Sequence, residues 1–193
     1  MRLSEIADLQ SGLVLTRKKA SSEKDTVKIY QQLNIRSLNG HGTVDHTQLE
    51  DFSSKTILDS AVLTRTNDIV LKLFAPLNPT LIQPEDEDYV IPSQLAVIRV
   101  TDKTVLPGYL CYWLSTQEAL DTILFYEGWQ SQRSIKIATL AALDIPIPSL
   151  EKQNLISDIV SLQRKRQMLY QILIEEENKF TALKIQQAIG GKE

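Results

Sequence analysis

The final part of this 193-residue chain contains about 40 consecutive residues, 150–189, without a proline or a glycine. Because proline and glycine most often end helices, this stretch predicts one helix of up to about 60 Å. All seven prolines and most glycines lie earlier and divide the chain into short segments. We therefore predict a globular domain over residues 1–148, followed by a long helix within residues 149–193.

Composition narrows the class of protein. Hydrophobic residues make up 42% of the chain and charged residues 23%, ordinary values for a soluble globular protein. The net charge of -3 gives no overall attraction to phosphate, so a nucleic-acid site would have to be a local basic surface. The only cysteine, Cys111, lies in an apolar run and is expected in the core. Since neither a signal sequence nor an apolar run of membrane-spanning length is seen, we expect a cytoplasmic protein.

Three segments of the first domain predict β-strands. Residues 67–74 and 94–100 are rich in β-branched side chains, which favour strands. A third strand is predicted where apolar residues alternate, as expected when one face of a strand is buried. The alternating residues are Val27, Ile29, Leu33 and Ile35.

Short helices are predicted around these strands. Apolar residues at helical spacing indicate a helix at Leu3, Ile6 and Leu9, ended by Gly12. Further along, start and stop signals predict two more helices and a last helical turn. These signals are Pro107 in a first turn, the capping pattern Ser115–Glu118, Gly128 as a stop and Thr139 as a cap. Mixed short elements followed by the long helix make this an α+β fold.

No pattern in the sequence predicts an enzyme. The two histidines, His41 and His46, have no neighbouring cysteine, so a zinc site is not expected. No serine lies in a nucleophile elbow, and 40–42 lacks the third glycine of a dinucleotide-binding loop. The acidic run Glu85–Asp88 favours a solvated loop over a metal site. We predict no catalytic residue, no metal and no cofactor.

Basic and amide side chains are concentrated in three predicted loops. Arginine and lysine suit phosphate and guanine, and glutamine and asparagine can pair with adenine in the major groove. One such loop alone is typical of an ordinary solvated surface, whereas three in one small domain make a DNA-binding surface a comparable interpretation. The residues are Arg17, Lys18 and Lys19; Arg36, Asn39 and His41; and Gln130, Gln132, Arg133 and Lys136.

The long helix carries a regular apolar seam. Alternating steps of four and three residues select positions that are apolar except for one arginine and one glutamate, as in a coiled coil. Packing on the chain's own domain is the simpler alternative, but the helix is long for a domain with a radius of gyration of about 15 Å. The positions are Leu155, Ile159, Leu162, Arg166, Leu169, Leu173, Glu176, Phe180 and Leu183.

The two charged seam positions indicate how two copies would pair. In an antiparallel pair centred on Gln171, residues equidistant from the centre face each other, and Arg166 lies opposite Glu176. A shift of half a heptad sets Arg166 against leucine, which would leave a buried charge unpaired. We predict an antiparallel coiled-coil homodimer in which this charge pair sets the register.

Several segments, in order, resemble one protein family. The clearest is Ala142–Gln153, with its Ile-Pro-Ile-Pro sequence followed by the periodic helix. The others are 6–12, 67–71, 94–99, 106–110 and 128–135. Together they resemble the specificity subunits of type I restriction-modification enzymes, over nearly the whole chain.

The resemblance implies a target-recognition domain over 1–148 and a conserved spacer helix over 149–193. Such subunits usually carry two of each, so this chain resembles a half-length form. By analogy, a homodimer would read the two halves of an interrupted, palindromic site in double-stranded DNA. An adenine methyltransferase subunit and, where present, a restriction and translocation subunit would perform the chemistry. The alternative is a dimeric coiled-coil scaffold or regulator without sequence-specific DNA binding.

Overall fold

A computed structural model describes residues 1–40, 42–128 and 134–190. The chain forms two compact units, Met1–Ser157 and Asp158–Glu193. The helices are α1 (Leu3–Ile6), α2 (Pro107–Leu114), α3 (Gln117–Tyr126), α4 (Ile137–Ala141) and α5 (Leu150–Gly190). The strands are β1 (Ala7–Ser11), β2 (Lys28–Gln32), β3 (Glu50–Ser54), β4 (Ile69–Lys72), β5 (Thr80–Leu81) and β6 (Leu95–Val100). The predicted α+β class and the long final helix are confirmed.

The main sheet is antiparallel, with strand order β1-β6-β4-β5. Its central strands β4 and β6 are rich in β-branched residues, which pack well on a pleated surface. They pair in the register Ile69 to Ile98 and Val70 to Val97. All of β4 and the first four residues of β6 are buried, so this pair lies at the centre of the first unit.

The two faces of β4 and β6 contribute to two different core clusters. Ile69 and Leu71 pack with apolar residues of the short helices, including the predicted core residue Cys111. Val70 and Val97 belong to the second cluster, because side chains alternate along a strand. The other buried members of the second cluster are Leu33, Leu38, Ile82, Ile91 and Leu95.

Strands β2 and β3 form a separate two-stranded sheet. The predicted strand is confirmed, but the prediction that the face of Ile29 is buried is wrong. Ile29 is 59% exposed, whereas Tyr30 on the other face is only 5% exposed. Tyr30 pairs with Phe52, and its hydroxyl accepts a 3.0 Å hydrogen bond from the backbone N–H of Leu58. Burying this aromatic pair removes more apolar surface from water than burying Ile29, and a strand can bury only one face here.

The helix predicted before Gly12 is too long. It ends at Ile6, and the next five residues form β1, where Leu9 pairs with Ile98 of β6. Pairing with a distant strand overrides the local helical spacing. Gly12 has a different role from the predicted one, because a Cβ atom there would lie 2.2 Å from the carbonyl oxygen of Ile91.

Helices α2 and α3 follow their predicted signals closely. Pro107 lies in the first turn of α2, where its missing N–H costs nothing. The N-cap of α3 is Thr116, one residue after the predicted start of the capping pattern, and its hydroxyl accepts a hydrogen bond from Ala119. Gly128 follows α3 with a φ of 78°, a left-handed conformation that glycine adopts without strain.

The acidic run Glu85–Asp88 is only partly solvated, which corrects the prediction. Asp86 is buried and lies 2.6 Å from Nε2 of His46, a hydrogen bond across 40 residues of sequence. Its other carboxylate oxygen accepts a hydrogen bond from the backbone N–H of Gln83, capping a helical turn. Within the described ranges, no three His, Cys, Asp or Glu side chains are arranged to hold a metal ion.

An ion pair between buried Asp68, the residue before β4, and half-buried Arg99 of β6 links the two strands beyond their ladder. Arg99 donates to both carboxylate oxygens of Asp68 and also to the carbonyl oxygens of Ala61 and Leu63. Burial raises the pKa of Asp68, while the hydrogen bonds and charge of Arg99 oppose that rise. The pair therefore fixes the register of the central strands and holds the 61–63 segment against them.

The start of α5 is anchored in the first unit by Gln153, which is fully buried. Its side-chain oxygen accepts a 2.8 Å hydrogen bond from the backbone N–H of Leu106. Its side-chain nitrogen donates to the carbonyl oxygens of Thr104 at 2.8 Å and Pro148 at 2.9 Å. Further along, from Asp158 to Ile189, α5 has no buried residue, and no described helix has the length and apolar character of a membrane span.

Replacing Gln153 by leucine keeps the side-chain volume but removes all three hydrogen bonds. We expect the free energy of unfolding to fall by about 3 kcal/mol, because partly buried backbone groups lose their partners. Urea denaturation followed by circular dichroism measures the change. The matched control is Asn154→Leu at the exposed neighbouring position, for which we expect a change below about 0.5 kcal/mol. Equal stability of the two variants would contradict the anchoring role of Gln153.

Candidate nucleic-acid interface

The 17–19 segment lies beside the hairpin of β2 and β3. Lys19 forms an antiparallel bridge with Ser54, the last residue of β3. Arg17 and Lys19 are exposed and Lys18 is half-buried. Since Ser54 also pairs with Lys28, these cations are positioned at the end of the hairpin where β2 begins.

The second predicted group follows the other end of β2. Its backbone is held by Asn34, whose side-chain oxygen accepts hydrogen bonds from the N–H groups of Arg36 at 2.8 Å and Ser37 at 3.0 Å. Ser37 is buried and Leu38 belongs to the second core cluster, so this turn is packed against the first unit. Arg36 and Asn39 are exposed on it. A side chain held on a packed turn suits a contact that requires a fixed geometry.

In the third predicted group, Lys136 is exposed and precedes α4 as its N-cap residue. Its ammonium lies 3.7 Å from the carboxylate of Glu127, and its backbone N–H also donates to that carboxylate. Thr139, predicted as a cap, lies inside α4, and its hydroxyl donates to Glu127 instead. That hydrogen bond and those from Lys136 lower the pKa of Glu127. Four predicted residues lie outside the described ranges: His41, Gln130, Gln132 and Arg133.

Residues 73–79, which follow β4, connect the second and third groups. The carbonyl oxygen of Leu73 accepts a 2.7 Å hydrogen bond from the backbone N–H of Ile135. At the other end of this loop, the side chain of Asn78 donates to the carbonyl oxygen of Leu38 at 2.9 Å. The Arg36–Asn39 turn and the residues just before α4 are therefore bound to the same loop, at the end of the main sheet where β4 ends.

The structure links the Arg36–Asn39 turn and the segment of Lys136, the one described residue of the third group, to the same loop, and it separates the 17–19 segment from the turn. The 17–19 segment is at the start of β2 and the Arg36–Asn39 turn follows its end, so about 13 Å of strand lies between them. Sequence reasoning did not identify the 73–79 loop as the connection. The available signal was Asn78 before Pro79, because asparagine tolerates the left-handed conformation it adopts here, with a φ of 45°.

The second unit consists of the later turns of α5. The nine predicted seam positions, from Leu155 to Leu183, are all exposed in the single chain. Glu176 accepts a 2.7 Å hydrogen bond from Lys179, three residues further along the helix. Both side chains of that pair are exposed, so the ion pair is weak. It would compete only weakly with a stronger pairing of Glu176 in a buried seam.

Comparisons with known proteins agree with this architecture. Residues 1–185 match the family described as type I restriction modification DNA specificity domain. Among solved structures, the HsdS subunit from Thermoanaerobacter tengcongensis matches with a TM-score of 0.66 and 18% identity, over 97% of this chain and 47% of that one. A chain from a structure of the type I R-M system, concerned with complex assembly and conformational transition, matches with a TM-score of 0.68 and 16% identity.

That second match covers 98% of this chain and 47% of the other, so the chain spans about half the length of either solved structure. No curated protein matches the sequence. At these identities the solved structures establish the fold, while the family match extends over nearly the whole sequence, including the three predicted loop groups and most of α5. The chain therefore belongs to the type I restriction modification DNA specificity domain family.

Proposed function

We propose that this chain is the DNA sequence-specificity subunit of a type I restriction-modification system, acting in the cytoplasm. It reads one half of an interrupted, palindromic site as a homodimer and directs a partner adenine methyltransferase and, where present, an endonuclease. The observation that carries this proposal is the joining of the Arg36–Asn39 turn and the Lys136 segment through one loop, in a chain of this family. The chain itself is proposed to be non-catalytic.

Different parts of the first unit would make different DNA contacts. Arg36 and Asn39 lie on a turn bound to the same loop as Ile135, which directly precedes Lys136, and this arrangement suits reading of base edges in one groove. The 17–19 segment, about a strand length away, suits phosphate contacts that set orientation. Lys136 already has Glu127 beside it, so it contributes less to DNA affinity than an unpaired lysine would.

A homodimer is supported by the charge pattern of the exposed seam. Antiparallel pairing about Gln171 buries leucine, isoleucine and phenylalanine side chains and sets Arg166 against Glu176. The resulting two-fold axis would relate two identical recognition domains, which is why the proposed site is a palindrome. In this dimer the proposed functional division is a recognition domain over 1–148 and a spacer helix over 149–193.

The middle of α5 also has apolar side chains outside the seam, which supports docking of the methyltransferase there. Met168 and Ile172 lie on one flank of the seam and Tyr170 and Ile174 on the other, and all four are exposed. A second copy packed along the seam would cover neither flank completely. Further helices from a partner subunit would remove this surface from water.

The proposed function is tested by mapping methylated adenines at single-base resolution in a host without other adenine methyltransferases. Co-expression of the chain with its partner methyltransferase should modify one interrupted palindrome, and the methyltransferase alone should modify none. Methylation that does not depend on the chain, or has no sequence preference, would favour the protein-binding scaffold instead. A specific but asymmetric site would contradict the homodimer.

The dimer is tested by exchanging its seam charges. Glu176→Lys replaces each of the two symmetry-related Arg166–Glu176 contacts in the dimer by a pair of cations. The dimer dissociation constant should therefore rise by at least about tenfold. The double variant Arg166→Glu with Glu176→Lys restores opposite charges and should recover part of that loss. Sedimentation velocity over a concentration series measures both.

The control is Glu175→Lys, the same change of charge outside the seam, one heptad after Met168 on the same flank of the helix, which should leave the dissociation constant within about twofold. A wild-type chain that stays monomeric would end the proposal of a homodimer. A double variant as weak as Glu176→Lys would end the assignment of the register.

A further inference from the structure

Lys72, the last residue of β4, is a largely buried lysine outside the residues that the loop pattern had predicted. Only 8% of the residue is exposed, but its ammonium nitrogen is not among the described polar side-chain atoms that are fully shielded from solvent. The protein therefore covers the aliphatic stem and leaves the charged end accessible. No described residue forms a salt bridge or a hydrogen bond with its ammonium. Burial lowers the pKa of Lys72, and no described carboxylate opposes that shift.

The position of Lys72 connects it to the Arg36–Asn39 turn and the 73–79 loop described above. Because side chains alternate along a strand, Lys72 leaves β4 on the same face as Val70. Val70 belongs to the cluster that contains Leu33 and Leu38, which flank the Arg36 turn. The backbone N–H of Lys72 also donates to Leu77, next to the asparagine that holds Leu38. Its side chain therefore starts between the Arg36–Asn39 turn and the 73–79 loop.

A purely structural role explains this lysine poorly. Methionine would fill the same space with a stem of similar length and without the cost of partly removing a charge from water. A lysine at this position becomes favourable when an anion supplies the missing acceptor. DNA phosphate is the anion that the surrounding loops would bring close.

We propose that Lys72 binds a DNA phosphate at the junction of the Arg36–Asn39 turn and the 73–79 loop, an inference that rests on the proposed function. The contact is independent of sequence and fixes how deeply the recognition loops enter the groove. Since the surrounding protein has already removed most of the water around the side chain, binding requires little further desolvation. The chain has a net charge of -3, so long-range attraction contributes little to DNA binding. Lys72 would bind the phosphate because the surrounding loops bring the DNA backbone close to it.

The test is Lys72→Met, measured for stability and for DNA affinity in the complex with the methyltransferase. The DNA probe is a duplex that carries the methylation-mapped site, and its dissociation constant is measured over a salt series. The variant should melt at the same temperature as wild type or higher, while its affinity falls about tenfold. The slope of log affinity against log salt should decrease in magnitude by about 0.9, the value for one phosphate.

Lys103→Met is the matched control. Lys103 is exposed in the turn after β6. Lys72 pairs with Leu95 at the start of β6, so Lys103 lies at the opposite end of that strand. We expect this variant to keep both the affinity and the salt slope of wild type. If Lys72→Met also keeps both while wild type binds the site, the role of Lys72 is overturned and the proposed function stands. If wild type binds no DNA in the complex, both are overturned.

A second measurement on the wild-type chain does not depend on how the variant folds. With ¹³C-labelled lysine, the pKa of Lys72 is obtained by NMR titration of its Cε resonance, assigned by comparison with Lys72→Arg. Addition of the duplex should raise that pKa, because a phosphate stabilises the charged form. A pKa that does not change at saturating DNA would overturn the proposal.

Discussion

The buried pair of strands β4 and β6 is the constraint on which the first unit depends. Both faces of this pair are covered, so each side chain is committed to one of two core clusters. A register shift of one residue would exchange those clusters, and the ion pair of Asp68 with Arg99 opposes such a shift. The 73–79 loop begins where β4 ends. The register of two apolar strands therefore determines where the proposed recognition loops lie.

The features predicted successfully from the sequence are those that local physics controls. The long helix follows from the absence of proline and glycine over 150–189, and β4 and β6 follow from their β-branched residues. Pro107 and Gly128 act at helix ends for conformational reasons that hold in almost any fold. The capping pattern that starts at Ser115 predicts the start of α3 to within one residue, because the hydroxyl of the adjacent Thr116 caps the helix instead.

The features that sequence reasoning missed depend on distant partners. Leu9 lies in a strand because β6 pairs with it, and the buried face of β2 is decided by Phe52 on another strand. Asp86 is buried and hydrogen-bonded to His46, a pairing that no local pattern indicates. In the same way, the sequence identified cations and amides in loops, but only the fold joins the Arg36 turn to the residues before α4. The seam of α5 remains a prediction, since the partner proposed for it is another chain.

The two units contribute separate parts of the proposed activity. The first unit presents side chains whose hydrogen-bonding groups suit base edges and phosphates, and it belongs to a family of DNA specificity domains. The second unit presents exposed apolar residues along a helix, a surface suited to association rather than to chemistry. Specificity in such an arrangement depends on how far apart two identical recognition domains are held, because only sites with a matching spacing can engage both at once.

The proposed antiparallel pairing of α5 is tested most directly by double electron–electron resonance on the full chain with a spin label at Gln186→Cys. Gln186 is exposed and lies outside the seam, and the native Cys111 is buried. In an antiparallel dimer centred on Gln171, the two labels should be separated by about 45 Å along the helix axis, at about 1.5 Å per residue. A parallel dimer would separate them only by the interhelical distance of about 10 Å and the label arms, and a monomer would give no dipolar signal. Either of those two results would contradict the antiparallel homodimer.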